Sequence, residues 1–149
     1  MRLVVQRVAR AAVRAGGITV AEIGPGLLVL CGVGVDDGPA EAGYLARKVH
    51  DLRIFQDEGG KMNHSLSDVR GEVLVVPQFT LYADTSRGRR PSWIRAAAPE
   101  VARERIEMFA LALEAQGAKV RRGAFREHME VELVNDGPVT LVLDGRDGA

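Results

Sequence analysis

Side chains able to do chemistry are few in this sequence, and they do not cluster. His50 falls in a helical pattern, His64 in a polar loop and His128 on the polar face of a strand pattern, and none has a serine or cysteine nearby to complete a relay. The single cysteine, Cys31, sits in the apolar run "LLVLCGVGV", which predicts a buried thiol with no disulfide or metal-ligand partner. No CxxC, HExxH, GxxxxGK[ST] or GxSxG pattern occurs, and no GxGxxG follows a strand. Zinc chemistry, phosphate-loop chemistry and serine-hydrolase chemistry therefore lose their usual signatures, and no metal site is expected.

Thr80, in "PQFTL", is the one hydroxyl in an apolar stretch directly after a strand-ending proline. That position suits a nucleophile or an anchoring donor, and equally a β-forming residue that packs. Phe79 reads as core or as a stacking platform. Lys61, in "GKMN", reads as a phosphate contact or as an ordinary surface lysine. Two stretches, "PQFTL" and "NDGPVT", have their backbone geometry set by proline or glycine rather than by packing. Such stretches aim main-chain N–H and C=O groups, and those groups can do chemistry without a reactive side chain.

The elements that must position these stretches follow from periodicity. Residues 2–8 and 18–35 are rich in Val, Ile and Leu and are broken by "GPG" at Gly24 to Gly26, which predicts a β-meander. "PAEAGYLARKVHDLRIF" places Ala42, Leu45, Ala46, Val49 and Leu52 on one helical stripe behind Pro39. "DEGGKMNHS" reads as a polar loop. "EVLVVPQFTL" is a β-branched strand that Pro77, lacking an N–H, must end or bring to a sheet edge. A second helix is predicted from Pro99 to about Gln116, with Ala102, Ile106, Phe109 and Leu113 on its apolar face and Gly117 past its end. "HMEVELV" alternates Met129, Val131 and Leu133 with His128, Glu130 and Glu132, and "NDGP" then reads as a turn joining it to a partner strand, "VTLVLD". The expected fold is α+β: a mixed, mostly antiparallel, barrel-like sheet with two amphipathic helices.

Composition sets outer bounds. A chain of 149 residues, 46% hydrophobic and 27% charged, supports one globular domain spanning 1–149. No apolar run reaches the length of a membrane span, and Gln6, Arg7 and Arg10 interrupt what would be the apolar region of a signal peptide, so a cytoplasmic protein is expected. Twenty basic and twenty acidic side chains cancel, yet between Asp84 and Arg126 ten basic residues face five acidic ones, with clusters at "RGRR" and "KVRR". These clusters suit phosphate contacts or plain solvated surface.

From Met1 to about Leu143 the chain resembles the D-aminoacyl-tRNA deacylases, through "LVVQRV", "GLLVL", "GKMN", "VLVVPQFTL", "ADTSRGRRPSW" and above all "NDGPVT". Gln78, Phe79, Thr80 and Leu81 match the family's Ser-Gln-Phe-Thr-Leu pattern, and Asn135, Gly137, Pro138, Val139 and Thr140 match Asn-x-Gly-Pro-Val-Thr. Pro77 stands where the family has serine, so no role of that serine carries over. A related branch of deacylases with altered chiral preference has proline there.

The resemblance implies hydrolysis of the ester of D-aminoacyl-tRNA, and of mischarged glycyl-tRNA, by a homodimer with no cofactor, no DNA partner and no membrane attachment. It implies a cis Gly137-Pro138 peptide that reaches into the active site of the other subunit, meets the substrate amino group with carbonyl oxygens and leaves no room for an L side chain. Main-chain donors near Gln78 and Phe79 would stabilise the oxyanion, with Thr80 positioning and Phe79 against the terminal adenine. The alternatives are an esterase that forms an acyl-enzyme on Thr80 and a tRNA-binding module without catalysis.

Overall fold

The computed structural model describes residues 1–148. In chain order the elements are β1 (Arg2–Ala15), β2 (Ile18–Ile23), β3 (Gly26–Gly32), α1 (Pro39–Asp51), β4 (Phe55–Gln56), β5 (Met62–His64), β6 (Glu72–Pro77), α2 (Pro99–Ala115), β7 (Lys119–Arg122) and β8 (Met129–Asp144). Short 3-10 turns follow β6 at Phe79–Tyr82 and β8 at Gly145–Asp147.

The main sheet runs β2-β1-β3-β6-β7, and β8 pairs with β1. The β3–β6 and β6–β7 pairs are parallel and the rest antiparallel. Parallel neighbours need a crossover, and α1 and α2 lie within the two crossovers. Because β2 also comes against β6 and β7, the sheet curls into a nearly closed barrel-like form, the α+β architecture the periodicity predicts. β3 and β6 are buried on both faces. Leu27, Val29, Cys31, Val73 and Val75 join the core beneath the helices, whereas Leu28, Leu74 and Val76 join a second cluster with Val8, Ala11, Val13, Ala21 and Ile23. That double burial is why these two strands read as unbroken apolar runs rather than as alternations. Gly26 makes the β3–β6 pairing possible: a Cβ there would lie 1.9 Å from the Glu72 carbonyl oxygen.

Both helices bury their apolar stripes, Ala42, Leu45, Ala46 and Val49 on α1, and Ala102, Ile106, Phe109 and Leu113 on α2, which ends at Ala115; Leu52, expected on the α1 stripe, lies just past that helix and is half-buried. β6 stops at Pro77 as expected. The N-terminal strands form no meander, because β2 and β3 both pair with β1 and not with each other. Three further corrections concern the length of β1, the places of His64 and His128, and the C-terminal hairpin. β1 continues to Ala15, well past residue 8; the exposed Ala9 and Arg10 break its apolar pattern, but β8 and then β2 hold the backbone extended. His64 ends β5 rather than lying in a loop, and His128 precedes β8 instead of standing on its wet face.

The third correction is the largest. "HMEVELV" and "VTLVLD" are not the two arms of a hairpin; both belong to β8, and both pair antiparallel to β1. Between the pairs Gln6↔Thr140 and Val8↔Asn135, two steps along β1 match five along β8, so the chain bulges out over residues 136–139 and rejoins the same ladder. Asn, Asp and Gly do change the local backbone here, but the flanking strands keep one direction because β1 is long enough to pair with both halves.

Candidate active site

"PQFTL" emerges at the carboxyl end of β6, beside the carboxyl end of β3, where a parallel sheet leaves a crevice for ligands. Past Pro77 the chain is still tied to the sheet, because the Gln78 N–H donates to the Cys31 carbonyl at 2.8 Å. It then winds into the 3-10 turn, with the Leu81 N–H donating to the Gln78 carbonyl at 3.2 Å. This commits the Gln78 amide. The first N–H groups of a helical turn have no acceptor within it, so the Phe79 and Thr80 amides are the main-chain donors of this segment free to meet a ligand.

The side chains here are not core. Phe79 is 55% exposed and meets Trp93 edge to face, with ring centroids 5.0 Å apart. Thr80 is exposed as well, and its hydroxyl accepts from the side-chain Nε2 of Gln78, so it packs in no apolar layer. Below them opens a cavity of about 660 Å³. Cys31, Val33, Val76 and Pro77 line it, together with Phe79 and Trp93 and with Arg126, Glu127 and His128. Cys31 does not supply a nucleophile: it is fully buried, and that burial pushes its thiol pKa up to about 12, far from the thiolate that would react. Among the described residues no group of His, Cys, Asp and Glu is arranged to hold a metal ion.

The 3-10 turn is anchored from beneath by charge. Asp37 accepts from the Tyr82 hydroxyl at 2.8 Å and from the Gly34 N–H at 2.5 Å, and pairs with the Met1 ammonium. Burial, then the bond to the Asp37 carboxylate, pushes the Tyr82 phenol above its ordinary range. Arg2 lies over the Tyr82 ring at 5.2 Å and donates to the Leu81 carbonyl at 3.0 Å. The turn that presents Phe79 and Thr80 is therefore fixed to the ends of β1 and β3.

"NDGPVT" is built differently. The Gly137-Pro138 peptide is cis, and both residues are exposed at the tip of the bulge in β8. Asn135 spans its base: Oδ1 accepts from the Val139 N–H at 2.8 Å, while Nδ2 donates to the Val139 carbonyl and to the Thr140 hydroxyl, each at 3.1 Å. Val139 is buried and fills the core beneath. A Cβ on Gly137 would come within 2.6 Å of the Val139 nitrogen, so this turn admits glycine alone without rearrangement.

Arg7 supports the bulge from inside. Its Nε donates to the Asp136 carbonyl at 2.8 Å and its Nη1 to the Ile54 carbonyl at 2.5 Å, with the residue only 4% exposed. Sequence reasoning passed over Arg7 and Asp37. The signal for Arg7 was present: in "LVVQRV" it stands in phase with Leu3 and Val5, so the alternation aims a guanidinium into the core, and a buried charge must have partners. Apart from Gly34, the partners of Asp37 lie at the chain start and on the 3-10 turn, far along the sequence.

The two halves do not meet in one chain. No residue of the bulge lines the cavity beside Phe79. The bulge lies opposite Arg7, whose partner on β3 is Leu27, whereas Pro77 stands beside Cys31; four residues of β3 separate those levels, roughly 13 Å. With β1 and β3 between β8 and β6, the offset across the sheet is roughly 14 Å.

The α+β barrel is what the chain shares with known proteins. Residues 4–144 match the family model described as D-Tyr-tRNA(Tyr) deacylase. A protein of Heliobacterium modesticaldum named D-aminoacyl-tRNA deacylase is 55% identical over 148 residues, 99% of each chain. One of the same name from Thermosipho africanus is 53% identical over 146 residues, 98% of each. Among solved structures, the c-Myc DNA unwinding element binding protein superposes with a TM-score of 0.90 at 37% identity, over 97% of this chain and 98% of its own. The chain belongs to the D-aminoacyl-tRNA deacylase family, hydrolases of the ester that joins an amino acid to tRNA.

Proposed function

We propose that two copies of this chain form the working enzyme, and that it hydrolyses D-aminoacyl-tRNA and glycyl-tRNA while sparing L-aminoacyl-tRNA. D-aminoacyl-tRNA deacylation is the activity for which the family is named. The observation that carries the finer reading is the separation just described. Gly137-Pro138 is exposed on one side of the barrel, and the cavity beside Gln78, Phe79 and Thr80 lies on another, so one chain cannot bring them together. A second copy can supply the missing half to each cavity. The exposed Val134 and Val142, flanking the bulge on β8, give such a pairing apolar surface to bury.

In that arrangement the aminoacyl ester lies in the cavity with its carbonyl oxygen toward the Phe79 and Thr80 amides, which stabilise the oxyanion as water adds. Thr80 and Gln78 position the substrate, and Phe79 faces the terminal adenine. The partner's Gly-Pro carbonyls receive the substrate amino group and fill the space an L side chain would need, so selectivity comes from exclusion. Glycine, with no side chain, passes. No step needs a metal or cofactor. The same reading places the enzyme in the cytoplasm, where aminoacyl-tRNA is made and used.

The experiment is hydrolysis of D-tyrosyl-, L-tyrosyl- and glycyl-tRNA side by side, for the parent and for Pro138→Ala. The reading expects loss of the D and glycyl esters only, with L-ester cleavage appearing in Pro138→Ala. Full discrimination in that variant would remove the role of the motif. Protection of all three esters would make the protein a binding module. Thr80→Ala separates the mechanisms: a weakened enzyme fits main-chain catalysis, and a dead one fits an acyl-enzyme on Thr80.

A further inference from the structure

The two basic clusters of the sequence have different surroundings. In "KVRR", Arg122 is held by Glu107 with both contacts at 2.9 Å and by Glu114 at 2.7 Å, so its charge is already balanced. Lys119 lies beside Glu72, at the opposite end of β6 from Pro77. That cluster is thus partly neutralised at Arg122.

The "RGRR" segment hangs directly off the 3-10 turn. Asp84 and Ser92 exchange two main-chain hydrogen bonds of 2.9 Å, closing a neck from which residues 85–91 project. Arg87, Arg89 and Arg90 are exposed on that projection, and Arg95 lies just past the neck. None of the four has a carboxylate partner among the described ion pairs. Asp84, the one acid between residues 84 and 95, is occupied by the Ser86 N–H, and that hydrogen bonding holds its carboxyl below the usual range. The return strand brings Trp93 to the cavity wall, 40% exposed and braced edge-on by Phe79. It is pinned there by the Val35 N–H donating to the Arg95 carbonyl at 3.2 Å and the Ala97 N–H to the Val33 carbonyl at 3.0 Å.

Unpaired cations spaced along a loop, leading to a braced aromatic face at a cavity mouth, are the parts of a single-strand nucleic-acid site: charges follow the backbone and the ring stacks a base. We propose that residues 85–95 hold the unpaired nucleotides just before the 3′-terminal residue, with Arg87, Arg89 and Arg90 on their phosphates and Trp93 against a base. This rests on the reading of the substrate as an aminoacyl ester at an RNA 3′ end. It assigns the strand to this loop and not to the "KVRR" face. Three phosphate contacts on a single strand correspond to a salt slope of about 2 in log affinity against log salt.

The test uses the full protein and two readouts. Binding of a fluorescent RNA hairpin with a four-nucleotide unpaired 3′ tail is followed by anisotropy from about 50 to about 200 mM salt, for the parent, the triple variant Arg87→Gln/Arg89→Gln/Arg90→Gln, Trp93→Ala, and Lys119→Gln/Arg121→Gln. The expected result is a slope shallower by about 2 and at least tenfold weaker binding in the triple variant, at least fivefold weaker binding for Trp93→Ala, and parental behaviour for Lys119→Gln/Arg121→Gln. A parental slope in the triple variant, or equal binding of a blunt hairpin, overturns the proposal. Binding needs no turnover, so this outcome is independent of whether the protein cleaves an ester. In parallel, kcat/KM is measured on D-tyrosyl-tRNA and on the D-tyrosyl ester of adenosine. A loss in the triple variant at least tenfold larger on tRNA supports the assignment, and equal losses on both mean the loop serves only the cavity and overturn it.

Discussion

Replacing Asn135 tests whether the Gly-Pro bulge is held by one side chain. In the native structure Asn135 closes a ring with Val139 through both its amide atoms and also reaches the Thr140 hydroxyl. Asn135→Ala leaves the Val139 N–H, on a residue only 7% exposed, without an acceptor. An orphaned buried donor costs about 1–3 kcal/mol, and each of the two lost neutral bonds contributes about 0.5–1.5 kcal/mol where water does not replace it. Part of the Thr140 bond is recovered, since that residue is exposed and also accepts from Gln6 at 3.2 Å. The expected loss is therefore about 2–3 kcal/mol. Asn135→Asp keeps the acceptor for Val139 N–H but sets a carboxylate oxygen against the Val139 carbonyl, so it falls between parent and alanine. Urea denaturation at one fixed protein concentration reads the series, because dimerisation would make stability concentration-dependent. With a slope of about 2 kcal/mol/M, the alanine variant shifts the midpoint by about 1 M or slightly more. On the proposed mechanism the same variant should let L-tyrosyl-tRNA be cleaved, since the carbonyls proposed to exclude it would lose their fixed direction. A midpoint within about 0.3 M of the parent together with unchanged discrimination would refute the reasoning.

Arg7→Met removes two charge-assisted donors from the Asp136 and Ile54 carbonyls and is expected to cost about 2–3 kcal/mol, with Arg7→Lys recovering less than half because an ammonium cannot span both acceptors; denaturation midpoints decide. Asp37→Asn leaves the buried Met1 ammonium unpaired and is expected to cost about 3–5 kcal/mol, whereas Tyr82→Phe should cost about 1 kcal/mol and act mainly on turnover by loosening the 3-10 turn, which thermal melts and single-turnover rates distinguish. Cys31 and Tyr82 both have folded pKa values raised above their ordinary ones, so their contribution is complete below about pH 9 and is lost at higher pH, that of Cys31 as pH rises toward about 12. Urea midpoints from pH 7 to 11 should be flat to about 9 and then fall, with a shallower fall in Cys31→Ala.

What the sequence disclosed depended on the range of the interaction. Both helices follow from apolar stripes that repeat within a few residues, and the end of β6 follows from one proline. The curled sheet and the fate of "NDGPVT" do not, because they depend on β1 pairing with residues more than a hundred positions away. Asn-Asp-Gly is a hairpin signal only when the flanking strands have no longer partner, and here β1 supplies one. Phe79 and Thr80 show the same limit from the other side. Their residue types fit a buried strand, but the Gln78 amide is captured by Cys31 and the chain is turned outward before they can pack.

The proposed main-chain chemistry would also account for the lack of clustered reactive side chains in the sequence. If amides at Phe79 and Thr80 stabilise the oxyanion and carbonyls at Gly137 and Pro138 select the substrate, no side chain is indispensable to the bond-breaking step. The side chains instead hold the backbone: Asp37, Tyr82 and Arg2 the turn, Asn135 and Arg7 the bulge. Substitutions around this site should then give graded losses that track stability and selectivity together, whereas a side-chain nucleophile would give one position where turnover vanishes and the fold is untouched. Pro77 fits the same logic. Its ring removes an N–H at the end of β6, and the first main-chain donor past it, at Gln78, is already bound to Cys31, so the departure from serine removes a hydroxyl without touching the two amides the reaction would use.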